Sequence, residues 1–522
     1  MGRRYDVVIA GGGAAGCVVA ARLSEDPDRS VLLLEAGPDY PSLDATPAAV
    51  RDARYVPMRS HAPEYDPVHD WGMRIAFDGT TIVVPQGKLI GGGSAINGTI
   101  ALRGATADYR EWVDAGNPDW GWDQVLPAFC ALERDEAPGD EIHGRSGPYP
   151  ISRTSHNEYA PLQRAFIEAA RRVGAPDCLD FNAPDAEGVG PAPQARRGDL
   201  RVSTAIAYLN PARARGNLTV CGHTLVDRIV FEGDRAVGVV LSDGGEIEAG
   251  EVILCAGALA SPALLQRSGV GPASLLNDLD IALLSDLPVG DNLADHCVAP
   301  LLAEPREGAW RKTDFSLQAA WRFSTAAQPG SLDAQLLMFS YLNVRTTGEN
   351  GRGLAGSGGL PLENVAGIGC VNNKPRSTGS VRITAAAFDA LPHVDLNYLA
   401  EPIDRVVMRE IVRRGWSVLT AQPLAGMLGA PIGMDRATIA DDEALDAAIR
   451  RMLASGYHFA GSCRMAPRER SGVVDQEGRV YGCRNLRVID ASVLPTIPAA
   501  NVMLPTIMAA ERLAAAAREA PP

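Results

Sequence analysis

A strand, a glycine turn, a helix and a second strand follow one another at the start of the chain, and this order constrains the fold most. The apolar runs Tyr5–Ala10 and Ser30–Glu35 are typical of strands buried on both faces. Small residues over Ala14–Leu23 predict the helix between them. The turn Gly11-Gly12-Gly13-Ala14-Ala15-Gly16 fits the pattern G-x-G-x-x-G. We therefore predict an α/β fold with a Rossmann-type dinucleotide site at this turn.

The predicted dinucleotide contacts are three glycines and one acidic residue. Gly11, Gly13 and Gly16 let the turn tighten and let the backbone approach a pyrophosphate at the helix N-terminus. Glu35 ends the next strand, where its carboxylate can hold ribose hydroxyls. This motif does not separate FAD from NAD.

A second glycine run, Gln86–Gly98, contains Gly91-Gly92-Gly93-Ser94-Ala95-Ile96-Asn97-Gly98. Its backbone amides and the short side chains of Ser94 and Asn97 suit a flat ring with polar edges at close approach. From the residues alone, a glycine-rich surface loop is an equally good interpretation.

Composition excludes several classes of protein. A length of 522 residues predicts more than one domain, and a net charge of −14 disfavours nucleic acid as a partner. The nine cysteines show no C-x-x-C spacing, so we expect neither a disulfide framework nor a metal site. No apolar run is long enough for a membrane span, and the first strand leaves no room for a secretory signal. We therefore expect a cytoplasmic protein.

Later segments are predicted to complete the sheet. Strand-like runs over Thr219–Cys221, Arg228–Phe231, Ala236–Leu241 and Glu251–Cys255 indicate a meander that returns to it. Residues 406–420 and 502–516 carry helical patterning, and we expect the second helix to dock on the first nucleotide-binding unit. Glycine and proline predict loops over 37–47, 85–93, 182–192 and 350–361.

Two longer segments resemble signatures of the glucose-methanol-choline oxidoreductases. One runs from Gly87 to Gly104, and the other is Gly257–Gly271. Further segments are similar to blocks of the same family: 108–112, 289–296, 374–379 and 488–492. The resemblance covers nearly the whole chain and is weakest over residues 300–370.

The resemblance implies FAD as cofactor and an FAD-binding domain interleaved with an α+β substrate domain, which has an antiparallel sheet plus helices. The implied FAD-binding segments are 1–150, 201–299 and 455–522, and the implied substrate segments are 151–200 and 300–454. The implied FAD contacts are Gly11, Gly13, Gly16, Glu35, Gly92, Ser94, Asn97, Gly98, Val226, Asp490, Ala491 and Val502. No histidine lies between His69 and His143, near the position where some members tether FAD, so we expect non-covalent FAD.

The segment Ser455–Gly461 resembles the family's active-site histidine segment, which implies His458 as general base and Asn501 as its polar partner. An imidazole suits removal of an alcohol proton at neutral pH, and a neutral amide can orient the alcohol oxygen. Tyr457 is a candidate substrate contact. We interpret His296 as structural, although it also matches a family block. The helix after Asn501 is expected to direct free amides, beginning with Val502, at the flavin.

The expected activity is oxidation of a primary, aryl or furan-type alcohol to the aldehyde, with O2 or another electron acceptor. A hydroxynitrile lyase with a spectator flavin is the alternative. Gly456 stands where related oxidases often carry valine, which leaves the acceptor open. An aromatic pocket is one interpretation of the following residues, and ordinary core packing is the other: Trp71, Trp310, Phe315, Trp321, Phe339, Tyr341 and Tyr457.

Overall fold

A computed structural model describes residues 4–54, 67–77, 80–137, 142–344 and 362–519. Within these ranges, most of the strands belong to two large sheets, and each sheet has its own apolar core. The loop predicted over 350–361 lies outside the described residues.

Five parallel strands form the centre of the first sheet, and they are joined in the order expected of a Rossmann-type fold. In spatial order they are Leu218–Cys221, Val31–Leu34, Arg4–Ala10, Glu246–Leu254 and Leu486–Val488. Two antiparallel strands, Val226–Glu232 and Arg235–Leu241, extend from the first half of Glu246–Leu254. The predicted meander therefore does return to the sheet.

The two ends of the chain meet on this sheet. The helix Ala14–Leu23 follows the glycine turn, and the terminal helix Met503–Glu519 packs along it. A salt bridge of 2.7 Å joins Arg22 to Glu511 across the contact. The predicted docking of the terminal helix is confirmed, and it brings the segment around Asn501 to the nucleotide-binding unit.

The second sheet is antiparallel and is covered on one face by the helices Pro161–Arg172 and Pro402–Leu419. Gly415 allows close packing on that face, because a Cβ there would lie 2.7 Å from the Cys370 sulfur. The strands, in spatial order, are Leu428–Ile432, Cys297–Pro305, Leu362–Asn372, Ala334–Val344, Ala319–Phe323 and Gly188–Pro191, with Ala454–Ser455 also paired to Cys297–Pro305.

Smaller elements complete the described residues. A four-stranded sheet consists of Met73–Phe77, Thr80–Val84, Ser380–Arg382 and His393–Asp395. Short strand pairs are Glu133–Asp135 with Tyr149–Ile151, Arg196–Arg197 with Leu200–Arg201, and Val270–Gly271 with Ser285–Asp286. The other α-helices are Ala48–Arg51, Thr106–Asp114, Trp122–Leu132, Asn210–Ala212, Ala260–Arg267, Ala273–Asp278, Leu424–Met427, Arg436–Ala440 and Asp442–Met452.

The predicted fold class, a Rossmann-type domain with an interleaved α+β part, is confirmed. One loop prediction is partly wrong, because 182–192 contains the strand Gly188–Pro191, which pairs with Ala319–Phe323 at a sheet edge. None of the described helices combines the length and the apolar character needed to cross a bilayer. All nine cysteines are free thiols.

Candidate active site

One long cavity runs between the two sheets. Apart from Gly16, every predicted cofactor contact borders it, as do Tyr457, His458 and Asn501. Gly16 instead packs against the turn. Only glycine fits there, because a Cβ would lie 1.9 Å from the carbonyl oxygen of Gly11. The cavity therefore joins the predicted nucleotide and catalytic residues in one site.

The two glycine segments meet at one end of the cavity. Gly91 donates its N–H to the carbonyl of Gly12 at 2.7 Å, and a Cβ on Gly92 would lie 2.7 Å from Cα of Gly13. By contrast, a Cβ on Gly93 would meet no protein atom within 4 Å, although Gly93 borders the cavity. Protein packing does not require glycine at Gly93, but close approach of a ligand to the backbone does. The second glycine run is thus part of the site and not a surface loop.

Glu35 lies at the end of its strand, buried beside the glycine turn. Its Oε2 accepts a hydrogen bond from Gly12 N at 2.8 Å, and its Oε1 accepts one from Gly37 N at 2.9 Å. Burial raises the pKa of this carboxyl, while the two amides favour its charged form. Glu35 therefore faces the cavity, as predicted, and it also holds the glycine turn in shape. The sequence did not indicate this second role.

Ser94 and Asn97 are anchored within the protein. The Ser94 hydroxyl donates to Gly91 O at 2.6 Å, and the Asn97 Oδ1 accepts from Thr99 N at 2.9 Å. These bonds hold the turn around Gly92–Ala95. Ser94 Oγ also accepts from Thr204 N at 3.1 Å and Asn97 Nδ2 contacts the sulfur of Met503 at 2.9 Å, so the segment borders the cavity mainly with its backbone.

Asp490 joins the first sheet to the second family signature. Its Oδ2 accepts from Gly257 N at 2.9 Å and Ser261 Oγ at 2.6 Å, and its Oδ1 accepts from Ser492 N at 2.8 Å. Burial raises the pKa of Asp490, and these hydrogen bonds oppose that rise. Val226 borders the far end of the same cavity, beside Thr224 and Leu225.

His458 and Asn501 lie side by side, with 3.1 Å between His458 Nε2 and Asn501 Nδ2. The Oδ1 of Asn501 is buried and has no hydrogen-bond partner among the residues that the structure describes. A base and an amide that face one cavity can share the hydroxyl of an alcohol.

A second histidine, His296, contacts the imidazole of His458 at the ring nitrogen opposite Asn501. Its Nδ1 lies 2.9 Å from Nδ1 of His458, and its Nε2 lies 3.1 Å from the carbonyl oxygen of Pro498. Burial lowers the pKa of His296 well below its ordinary value, and the charge that His458 carries when protonated and the charge of Lys374 lower it further. His296 is therefore neutral. It is also in contact with the candidate base, so the purely structural interpretation of His296 needs correcting.

These contacts fix where the protons are. A carbonyl oxygen only accepts, so His296 carries its single proton on Nε2 and its Nδ1 is an acceptor. His458 must then donate from Nδ1, which leaves a lone pair on its Nε2. Asn501 turns its Nδ2 donor toward that lone pair. The Nε2 of His458, with its lone pair, therefore lies at the cavity beside Asn501.

The backbone of His458 is held separately. Its N–H donates to Asp295 Oδ1 at 2.7 Å, while the other oxygen of Asp295 accepts from Ser455 at 2.5 Å and from Tyr398. Burial raises the pKa of Asp295 to about 6, against the effect of these donors. Tyr457 adopts a left-handed φ of 63°, which turns the chain between Ser455 and His458.

Gly456 leaves room for the two histidines. A Cβ at this position would lie 2.8 Å from the carbonyl oxygen of His296 and 2.9 Å from Nδ1 of His458. A valine there would require the imidazole pair to move.

Three consecutive carbonyls before Asn501 are each held by a buried side chain. Lys374 Nζ donates to Ile497 O at 2.8 Å, His296 binds Pro498 O, and Arg322 donates to Ala499 O at 2.9 Å. Lys374 is itself paired with Asp108 and Glu111 at 2.9 and 2.7 Å. Sequence reasoning missed these supports. Lys374 and His296 lie in segments that resemble family blocks, whereas no sequence pattern or resemblance pointed to Arg322.

The predicted aromatic pocket is only partly formed. Trp71, Phe339 and Tyr457 border the cavity, and Phe388 and Phe459 join them. For the other four residues the alternative interpretation, ordinary packing, holds. Trp310 stacks on Tyr341, Phe315 lies against Arg196, and Trp321 packs with Phe323.

A buried group of Glu133, Asp135 and His143 has spacing that a metal ion could use. Its charges are already paired, because Arg103 contacts Glu133 and Arg153 contacts Asp135. Burial would lower the pKa of His143, but its hydrogen bonds to Asp135, Asp180 and Glu133 outweigh burial and raise it to about 10. A protonated imidazole offers no lone pair to a metal. We interpret this group as an ion-pair cluster.

Known proteins are similar to this chain over nearly its whole length. Two family models, both described as GMC oxidoreductase, match residues 5–298 and 375–510. An oxygen-dependent choline dehydrogenase from Paraburkholderia phytofirmans is 36% identical, over 98% of this chain and 93% of that protein. A 5-(hydroxymethyl)furfural oxidase from Methylovorus sp. is 34% identical, over 98% of both chains. The crystal structure of pyridoxine 4-oxidase from Mesorbium loti superposes with a TM-score of 0.86 at 31% identity, covering 98% of each chain.

Proposed function

The chain belongs to the GMC oxidoreductase family and is an FAD-dependent alcohol oxidoreductase, and we propose that it oxidises a primary alcohol of the aryl or furan type to the aldehyde. The observation that carries this proposal is the pairing of His458 and Asn501, with 3.1 Å between Nε2 and Nδ2, in a cavity that is also bordered by two glycine segments. Relatives that act on choline, hydroxymethylfurfural and pyridoxine all have an alcohol as substrate.

The residues present fit FAD. Gly93 and Gly13 both border the cavity: a Cβ on Gly93 would meet no protein atom within 4 Å, and one on Gly13 would only touch the Cys255 carbonyl oxygen at 3.8 Å, so a cofactor can approach their backbone. In the proposed arrangement, Gly11, Gly13 and Glu35 hold the pyrophosphate and ribose, with Gly16 supporting the turn. The residues proposed along the remaining parts of FAD are Gly92, Ser94, Asn97, Gly98, Val226, Asp490, Ala491 and Val502. We propose that binding is non-covalent.

His458 is proposed to act as the general base. The substrate hydroxyl enters between His458 and Asn501, donates its proton to Nε2 and accepts a hydrogen bond from the Asn501 amide. When bound, FAD supplies the hydride acceptor, so the C–H bond electrons leave with the hydride while the C=O bond forms. His458 then holds the proton, and its Nδ1–H remains bound to the neutral His296.

The helix Met503–Glu519 begins directly after Asn501, and Val502, Met503 and Thr506 border the cavity. A helix N-terminus favours negative charge. This end of the helix is therefore suited to the charge that develops during reduction of a bound flavin.

The division into FAD-binding segments 1–150, 201–299 and 455–522 and substrate segments 151–200 and 300–454 stays a proposal. It is supported by the strands of the first sheet, which fall in the FAD-binding segments. The strand Cys297–Pro305 favours a boundary slightly before residue 300. The proposed compartment is the cytoplasm, which fits nine free thiols.

Anaerobic mixing of the holoenzyme with a panel of primary alcohols tests the function. The proposal expects flavin bleaching with aryl or furan alcohols, followed by aldehyde formation. Admitting air then separates the two kinds of acceptor, since rapid reoxidation identifies O2 and slow reoxidation identifies another acceptor. Cyanohydrin cleavage with a flavin that stays oxidised would instead favour the lyase alternative.

A further inference from the structure

Gln335 is a buried residue whose amide nitrogen has no protein partner among the described residues. The residue is 1% exposed and borders the active-site cavity. Its Nε2 has no hydrogen-bond partner within the part of the chain that the structure describes. An unpaired buried amide is costly, so its presence at a cavity wall points to a ligand that completes it.

The strand pattern places this amide on the cavity side of the second sheet. Gln335, Leu337 and Phe339 alternate along Ala334–Val344 and all border the cavity. Leu336 points to the opposite face, where it lies near the Cβ position of Gly415 in the helix Pro402–Leu419. Val371 and Val298 follow Gln335 across the sheet on one side and border the cavity, and the buried Arg322 is its strand partner on the other side.

The register of the sheet relates Gln335 to the base. Gln335 is paired with Val371, and Val371 is paired with Val298. Val298 follows His296 by two residues in the strand that leads away from the imidazole pair. Because neighbouring strands lie about 4.8 Å apart, Gln335 stands roughly 10 Å across the sheet from Val298. It is placed to meet a part of the substrate remote from the reacting carbon.

The positions of the carboxylates that border the cavity indicate whether the substrate is charged. Among the described residues that border it, the carboxylates are Glu35 and Asp490, and both accept hydrogen bonds from backbone amides. Neither lies on the second sheet. The wall around Gln335 therefore offers an amide and apolar surface, with the buried cation Arg322 on the neighbouring strand, and this suits an uncharged molecule better than a cation.

We propose that Gln335 determines specificity by binding a hydrogen-bonding atom, such as a carbonyl oxygen or ring heteroatom, at the remote end of an uncharged alcohol. This inference rests on the proposed function, because it names the substrate class of the same site. A buried amide that must be satisfied discriminates against an analogue of the same shape that lacks the polar atom.

Two alcohols of nearly equal shape test the proposal. In 4-acetylbenzyl alcohol a carbonyl stands where 4-isopropylbenzyl alcohol has a methyl group. The kcat/KM ratio for this pair is measured in the wild type and in Gln335→Met, which keeps the length of the side chain and removes the amide. We expect the ratio to fall by about 10- to 100-fold in the variant, the effect of one buried hydrogen bond. Comparing the ratio between enzymes cancels the electronic effect of the acetyl group.

Controls separate specificity from folding. Gln328→Met changes a buried glutamine that does not border the cavity, and it should leave the ratio unchanged. Gln335→Met should keep its FAD and an unfolding temperature equal to or above that of the wild type, because it removes an unpaired amide.

Several results would overturn the proposal. These are an unchanged ratio in Gln335→Met, a large loss of FAD or thermal stability in that variant, or faster oxidation of 4-(trimethylammonio)benzyl alcohol than of the acetyl compound. If neither benzyl alcohol reduces the wild-type flavin under anaerobic conditions, the proposed function itself fails, and this inference fails with it. Reduction by both alcohols without a change in their ratio rejects only the role of Gln335.

Discussion

His296 and His458 contact each other Nδ1 to Nδ1 at 2.9 Å, although they lie 162 residues apart in the chain. Because His296 also donates to the carbonyl of Pro498, the pair directs the lone pair of His458 into the cavity. A neutral imidazole therefore orients the base through its side chain, while the carboxylate of Asp295 holds only its backbone.

Replacing His296 should slow the reaction without removing the base. In His296→Leu the Nδ1–H of His458 loses its acceptor, and we expect anaerobic flavin reduction to fall by about 10- to 100-fold with FAD still bound. His296→Gln, whose amide oxygen can accept that hydrogen bond, should recover part of the rate. His393→Leu, a change at an exposed histidine, should have no effect.

The pH dependence tests the same pair. Since burial and the nearby positive charge of Lys374 hold the pKa of His296 well below its ordinary value, His296 stays neutral while His458 titrates. The rate of reduction should fall toward acidic pH through protonation of His458, which removes the lone pair. In His296→Leu this fall should begin at lower pH, because the protonated ring of His458 has lost its acceptor. An unchanged profile would contradict the assigned proton positions.

Lys374 should contribute strongly to stability. Lys374→Met would leave Asp108 and Glu111 without their buried cation, and breaking such a pair costs about 3–5 kcal/mol in the free energy of unfolding. Arg376→Met is the matched control, since exposed Arg376 lies 3.7 Å from Glu111 and should cost about 0–1 kcal/mol. Equal losses in denaturant unfolding of the two holoenzyme variants would contradict this account.

Glu35→Ala should weaken FAD binding by about 10-fold or more, because Gly12 and Gly37 lose the acceptor that shapes the glycine turn. Apoenzyme should accumulate, which the ratio of flavin to protein absorbance measures. Glu35→Gln keeps an acceptor oxygen and should lie between the wild type and alanine. Unchanged FAD affinity in Glu35→Ala would mean that the carboxylate is dispensable to the site.

Local sequence patterns predicted the parts of the fold that local physics determines. The strand Arg4–Ala10 and the helix Ala14–Leu23 followed from apolar runs and a glycine turn, and both are confirmed. Contacts between residues far apart in the chain have no such local pattern in the sequence. The meeting of His296 with His458, and the clamp of Arg322 on Ala499, depend on how distant segments pack.

The aromatic residues show the same limit of prediction from local sequence patterns. Their number suggested a pocket, but strand alternation and packing decide which of them face the cavity. Trp321 packs with Phe323 in the core, whereas Phe339 borders the site. Gln335 was not predicted, since its importance lies in the absence of a partner for its amide.

Stopped-flow reduction of the flavin in His458→Ala and Asn501→Ala, under anaerobic conditions with saturating alcohol, tests the central claim most directly. Loss of a general base typically costs on the order of 10²–10⁴ in rate, so His458→Ala should lose most of its flavin reduction while its FAD content and spectrum are retained. Asn501→Ala loses one orienting hydrogen bond and should be impaired more mildly, by about 10- to 100-fold. Reduction of fully FAD-loaded His458→Ala at the wild-type rate would contradict the assignment of His458 as the base.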